Sequence, residues 1–207
     1  CLNDIILPGT HNSASCRTDV DIMFTSSGID NMWYANCWPA SRIIKNWTIN
    51  QNINIFKQLI NGVRMFDIDI SCDPTTDVFY TSHKFAIGHL AYTLTGIKRF
   101  LRENNDIFVL KIIFRYNMTP EKQQILSEIL LNEFNDKIIL PNEYENLLNT
   151  PIKKYFDNNK NIIIYTPNPS LPFYCTKNMW SGWENVQSKE KLYESCMESL
   201  DYCVSTK

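Results

Sequence analysis

Apolar residues along this chain fall into two kinds of run. Four short, nearly continuous stretches, "LNDIILPG", "GVRMFDIDIS", "DIFVLKIIFRY" and "KNIIIYTP", have the length and β-branched character of strands. Between them the spacing changes to three and four. "NQNINIFKQLING" carries Ile53, Phe56, Leu59 and Ile60 at helical intervals and stops on Gly62, a natural helix end. "TLTGIKRFLREN" lines up Leu94, Ile97, Phe100 and Leu101. "TPEKQQILSEILLNEF" starts with Thr119 as N-cap and Pro120 in the first turn, and puts Ile125, Ile129, Leu130 and Phe134 in a stripe. "SKEKLYESCMESLDY" reads as a shorter helix. Strands alternating with helices predict an α/β fold with a parallel sheet and helices outside, either a barrel or a doubly wound sheet. No GxGxxG follows the first strand, which counts against dinucleotide binding. The stretch from Cys16 to Asn46 is long, irregular and rich in aromatics, either a loop with its own small core or a lid or lipid-facing surface.

Composition narrows this little but usefully. The 207 residues suit one domain over 1–207, and 44% hydrophobic content is that of a globular chain. A net charge of −2 gives no reason to expect nucleic acid. No run approaches the ~20 apolar residues of a membrane-spanning helix. Seven cysteines, no CxxC pair, and sequons at Asn46 and Asn117 predict a secreted or lumenal protein with disulfides, one cysteine being left over.

The candidate chemistry begins with three histidines, His11, His83 and His89. His11 follows a Pro-Gly turn in "LPGTHNSAS", and His89 ends the apolar stretch "KFAIGHL"; both belong at strand ends, where parallel α/β proteins assemble their sites. His83 reads as structural or exposed. In "GVRMFDIDI", period two puts Asp67 and Asp69 on the face opposite Phe66, Ile68 and Ile70. Two carboxylates on such a strand need cations, a metal or hydrogen-bond donors. An ion pair with Arg64 or another base satisfies this. So does an oxygen-rich Ca²⁺ site made by Asn12, Asp67 and Asp69.

These blocks together resemble the X-domain family of phosphatidylinositol-specific phospholipase C. The "LPGTHNSAS" turn is similar to its first-histidine motif. Trp47, Gln51, Gln58, Leu59, Gly62, Arg64 and Asp67 fall in the places of its second block, and "FAIGHLAYTLTGIKRFLRENNDIFVLKIIF" resembles its second-histidine block. The late loop carries Trp180, Ser181, Gly182, Trp183 and Asn185 in a similar pattern. The resemblance implies a distorted TIM-type (β/α) barrel that cleaves a phosphoinositide, or a glycosylphosphatidylinositol, at a membrane surface. It implies His11 as base and His89 as acid, assisted by Asp67 and Arg64. Lys111 and Arg115 would contact substrate, with Trp180 and Trp183 at the mouth or packed in the loop. Asn12, Asp67 and Asp69 match the calcium-dependent members, but Ile113 stands where those supply a further glutamate. Calcium-independent members carry an arginine where this chain has Asp69. The recognisable blocks account for about six strands, so the barrel is short at its C-terminal side, or another chain or self-association completes it. A catalytically silent lipid- or protein-binding module on this scaffold is the alternative from a different class. A related sphingomyelin or glycerophosphodiester phosphodiesterase fits "THNS" poorly.

Overall fold

A computed structural model describes residues 1–16, 40–144 and 146–178, with isolated positions between 188 and 197. Two compact units divide the chain, Cys1–Thr176 and Lys177–Lys207. In the second, Glu190, Lys191, Tyr193, Glu194 and Met197 are helical, in line with the short helix read there. The sheet and the site lie in the first.

Among the described residues eight strands form one sheet: β1 (Gly9–Thr10), β2 (Met65–Cys72), β3 (Phe79–His83), β4 (Phe85–His89), β5 (Phe108–Phe114), β6 (Ile138–Ile139), β7 (Ile162–Thr166) and β8 (Tyr174–Cys175). The order is β4-β3-β2-β5-β7-β6, with β1 also on β2 and β8 also on β7. Among the described residues the sheet does not close on itself. β2, β5 and β7 run parallel, and the β3–β4 hairpin is antiparallel to β2. Helices α1 (Ala40–Thr48), α2 (Ile55–Ile60), α3 (Leu90–Glu103), α4 (Pro120–Phe134) and α5 (Ile152–Asp157) connect them. This is a distorted, open (β/α) barrel.

Alternation along β2 sorts its two faces. Phe66, Ile68 and Ile70 join Phe108, Leu110, Ile112, Ile162 and Ile164 in one core, packed against Leu59, Leu94, Ile97, Phe100, Leu126 and Leu130 of the helices. Phe66 is fully buried, and truncating it to alanine would cost about 3–5 kcal/mol. Asp67, Asp69 and Ser71 are left on the other face, so the hydrophobic core fixes where the polar side chains point.

Three local readings shift. "LNDIILPG" forms a 3₁₀ turn at Leu2–Asp4 and only a two-residue strand, leaving Ile6 84% exposed. Pro8 has no N–H to give a sheet ladder, although its carbonyl accepts from the amides of Arg64 and Met65. In α4 the buried stripe is Leu126, Leu130 and Phe134, with Ile125 half exposed. The last part of the irregular stretch is helix α1, and residues 17–39 lie outside the described residues.

Candidate active site

The site starts where the first turn meets β2. Along one edge of β2, β1 pairs with Met65 and Phe66 while β3 pairs with Ile70 to Cys72. Between them Ser13 stands in for a strand: its N–H donates to the Asp67 carbonyl at 2.8 Å, and the Asp67 N–H donates to Ser13 Oγ at 2.9 Å. The same hydroxyl donates to the Thr10 carbonyl at 2.7 Å. From α2, the fully buried Gln58 donates to the Ser13 carbonyl and accepts from Thr10 Oγ1, both at 2.7 Å. Asn12 turns the chain with φ 48°, a left-handed conformation asparagine tolerates. His11 is thereby fixed over β2, with Nδ1 2.6 Å from Asp67 Oδ2 and its side chain 49% exposed.

Register supplies the rest. Lys111 of β5 stands beside Asp67, Ile113 beside Asp69, Tyr165 of β7 beside Lys111 and Tyr174 of β8 beside Tyr165. One row of the polar face therefore reads Asp67, Lys111, Tyr165, Tyr174 across four strands. Lys111 Nζ lies 3.7 Å from Asp67 Oδ1, and Arg115 Nε donates to Asp69 Oδ2 at 2.8 Å. With the Asp67 and Asp69 side chains only 9% and 5% exposed, leaving either charge unpaired would cost several kcal/mol, so these cations are structural requirements of the strand. The Oδ1 atoms of both aspartates are nonetheless buried without a hydrogen bond among the described residues. Burial pushes the Asp69 carboxyl above its usual range, against the pull of Arg115. Burial also raises the Tyr165 and Tyr174 hydroxyls, which stay neutral.

The second histidine at this cluster is His83, which the sequence reading had set aside. At the end of β3, it lies close enough to Asp69 and His11 for both charges to act on it, and beside the Thr48 carbonyl at the end of α1. Burial lowers its pKa from 6.5, opposed by the Thr48 carbonyl and Asp69. Its Nδ1 is buried with no hydrogen-bond partner among the described residues. The missed signal was the hairpin: "FYTSH" is a strand, and Lys84, at φ 62°, is the single residue between His83 and Phe85.

His89 ends β4 and precedes α3. Its ring packs on Tyr80 at 4.5 Å and edge-on to Tyr92 at 5.9 Å, between two clefts of about 200 and 230 Å³. Arg64 is not brought to the site either. It lies three residues before Asp67, about 10 Å along the strand, and clasps Asp106 at 2.6 Å and the Leu59 and Val63 carbonyls at 2.6 and 2.8 Å. Trp180 and Trp183 fall outside the described residues. Cys1, Cys16, Cys72 and Cys175 are free thiols, and the other three cysteines are outside the described residues. No helix among the described residues is long and apolar enough to cross a membrane.

The open (β/α) barrel is similar in fold to solved structures of phosphatidylinositol-specific phospholipase C. The enzyme of that name from Listeria monocytogenes superimposes with a TM-score of 0.68 at 14% identity, over 98% of this chain and 69% of that one. A Staphylococcus aureus structure of the same enzyme gives 0.55 at 17% identity, over 87% and 55%. In sequence, a PI-PLC X domain-containing protein of Dictyostelium discoideum is 30% identical over 104 residues, 50% of this chain and 17% of that protein. Human PI-PLC X domain-containing protein 3 is 22% identical over 96% of this chain and 64% of its own length. The chain thus spans less than two thirds of these curated relatives. No family model matches it. The likeness to PI-PLC X-domain proteins, legible in the motifs, holds in sequence and in fold.

Proposed function

We propose that the chain is a phosphodiesterase of the phosphatidylinositol-specific phospholipase C type, with His11 and His83 as its acid–base pair. The observation that carries this is the 2.6 Å contact between His11 Nδ1 and Asp67, with His83 close enough for the charges of Asp69 and His11 to act on it. An imidazole held by a buried carboxylate is oriented to take a proton, and the carboxylate stabilises the imidazolium that forms. His11 removes the proton of the inositol 2-hydroxyl, whose oxygen attacks phosphorus. The bond from phosphorus to the diacylglycerol oxygen breaks as His83 gives that oxygen a proton. The products are diacylglycerol and an inositol 1,2-cyclic phosphate. Lys111 and Arg115 supply positive charge beside the reacting group.

The lipid surface is met through α1. Trp47 is 76% and Ile43 51% exposed on the helix whose last residue, Thr48, abuts His83, so an apolar contact leads directly to the site. Seven cysteines and two sequons favour a secreted or lumenal setting, checked by glycosidase treatment of the expressed protein. Strands from another copy or a longer sequence would close the open sheet, and sedimentation over a range of concentrations reports self-association. A binding module on this scaffold has one observation in its favour: both aspartates already hold a cation. Phosphorus NMR of phosphatidylinositol vesicles incubated with the protein separates the two, since a cyclic phosphodiester signal appears only if the chain is an enzyme.

A further inference from the structure

Resting on that reading, we infer that Arg115, held by Asp69, is the cation that binds the phosphate oxygens, and that the site works without calcium. The donor set is what argues against the metal. Ca²⁺ takes six to eight oxygen ligands and gains affinity with each carboxylate. Asn12, Asp67 and Asp69 bring two carboxylates, and one oxygen of each is occupied, Asp67 Oδ2 by His11 and Asp69 Oδ2 by Arg115. Ile113 stands opposite Asp69, and Lys111 opposite Asp67, on the strand from which a third acid would reach the cluster. Lys111 Nζ at 3.7 Å already faces Asp67 Oδ1, and Asp69 Oδ1 belongs to the carboxylate that Arg115 holds. Among the described residues no group of three or more His, Cys, Asp or Glu side chains is arranged to hold a metal ion. Two carboxylates are therefore balanced by two cations of the chain itself, and a divalent ion between them would meet both cations at short range.

Arg115 is built for the remaining task. Its Nε is fixed at 2.8 Å by a carboxylate that is 5% exposed, while its own side chain is 45% exposed. The backbone N–H of Arg115 donates to the Ile70 carbonyl, and its side chain makes no other polar contact among the described residues, so the two Nη groups are uncommitted there. A planar guanidinium anchored at one edge presents the other edge to two non-bridging phosphate oxygens at fixed geometry, which a mobile surface lysine does not. Asp69 is the positioning residue: it holds the fork in place before substrate arrives, so no reorganisation is needed as charge develops at phosphorus.

The test uses the whole chain, phosphatidylinositol vesicles, and buffer with EGTA or with excess Ca²⁺. The wild type is expected to cleave at equal rates in both, and calorimetric titration with CaCl₂ alone to show no stoichiometric binding. Arg115→Ala is expected to lower kcat/KM by about 10²–10³-fold and to erase the rate preference between the two phosphorothioate diastereomers of the substrate, while Arg115→Lys keeps part of both. If Arg115→Ala does not fold, Arg115→Gln takes its place. Cleavage only with Ca²⁺, stoichiometric Ca²⁺ binding, or an Arg115→Ala enzyme with unchanged rate and stereopreference overturns the assignment while leaving the two-histidine reading intact. A folded wild type silent in both buffers removes that reading, and this one with it.

Discussion

Ser13 and Asp67 exchange two hydrogen bonds, N–H to carbonyl at 2.8 Å in one direction and N–H to hydroxyl at 2.9 Å in the other. Through this pair the turn bearing His11 becomes part of the sheet without being a strand. Ser13→Ala removes the acceptor of a buried amide, and leaving such a group unsatisfied costs about 1–3 kcal/mol. The expected result is a lower melting temperature and a kcat that falls more than KM changes, because His11 loses its fixed relation to Asp67. Kinetics on folded Ser13→Ala protein, with Ser13→Thr restoring part of kcat, check this.

His83 sets an expected pH dependence. Its pKa in the folded protein lies below the ordinary 6.5, mainly through burial. As the acid it must carry a proton, so the alkaline limb of kcat/KM is expected below 6.5 and the optimum on the acid side of neutrality. Stability runs the other way. The unfolded chain binds the proton more tightly, so stability is fully present above 6.5 and erodes as pH falls below it. Rate and melting curves across pH 4.5–8.5 (about two units either side of an ordinary histidine) test both signs. A limb above 6.5 that persists in His83→Gln would contradict the role.

The exposed face of α1 predicts a separation of surface binding from chemistry. Trp47→Ala is expected to weaken partitioning onto phosphatidylinositol vesicles several-fold, since an indole favours the membrane interface, and to leave cleavage of a water-soluble inositol phosphodiester unchanged. Vesicle sedimentation together with a soluble-substrate assay reads both. Equal losses in the two assays would place Trp47 in the fold rather than at the lipid.

How much of this was legible in the sequence depended on the range of the interaction. Alternation put Phe66, Ile68 and Ile70 on one face and the two aspartates together on the other, because that pattern is local to one strand. Thr119 and Pro120 gave the start of α4 for the same reason: the Thr119 hydroxyl accepts from the Lys122 N–H. The β3–β4 hairpin was not legible, since Thr81, Ser82 and His83 look like a turn until β2 and β4 pair with them. His83 was missed with it, and His89 drew attention because it ends an apolar run. The pairing of Arg115 with Asp69 spans 46 positions of sequence and follows only once β2 and β5 are in register. In α4, Ile125 and Leu126 are equally apolar, and only docking against the sheet decides which one is buried.

The central claim is that His11 and His83 share the chemistry while His89 does not. Release of water-soluble inositol phosphate from phosphatidylinositol vesicles by the wild type, His11→Ala, His83→Ala and His89→Ala tests it most directly. The account predicts losses of about 10²–10⁴-fold for the first two substitutions, the range for removing a general acid or base, and a change of less than about tenfold for the third. Full activity in His83→Ala beside an inactive, folded His89→Ala would contradict it.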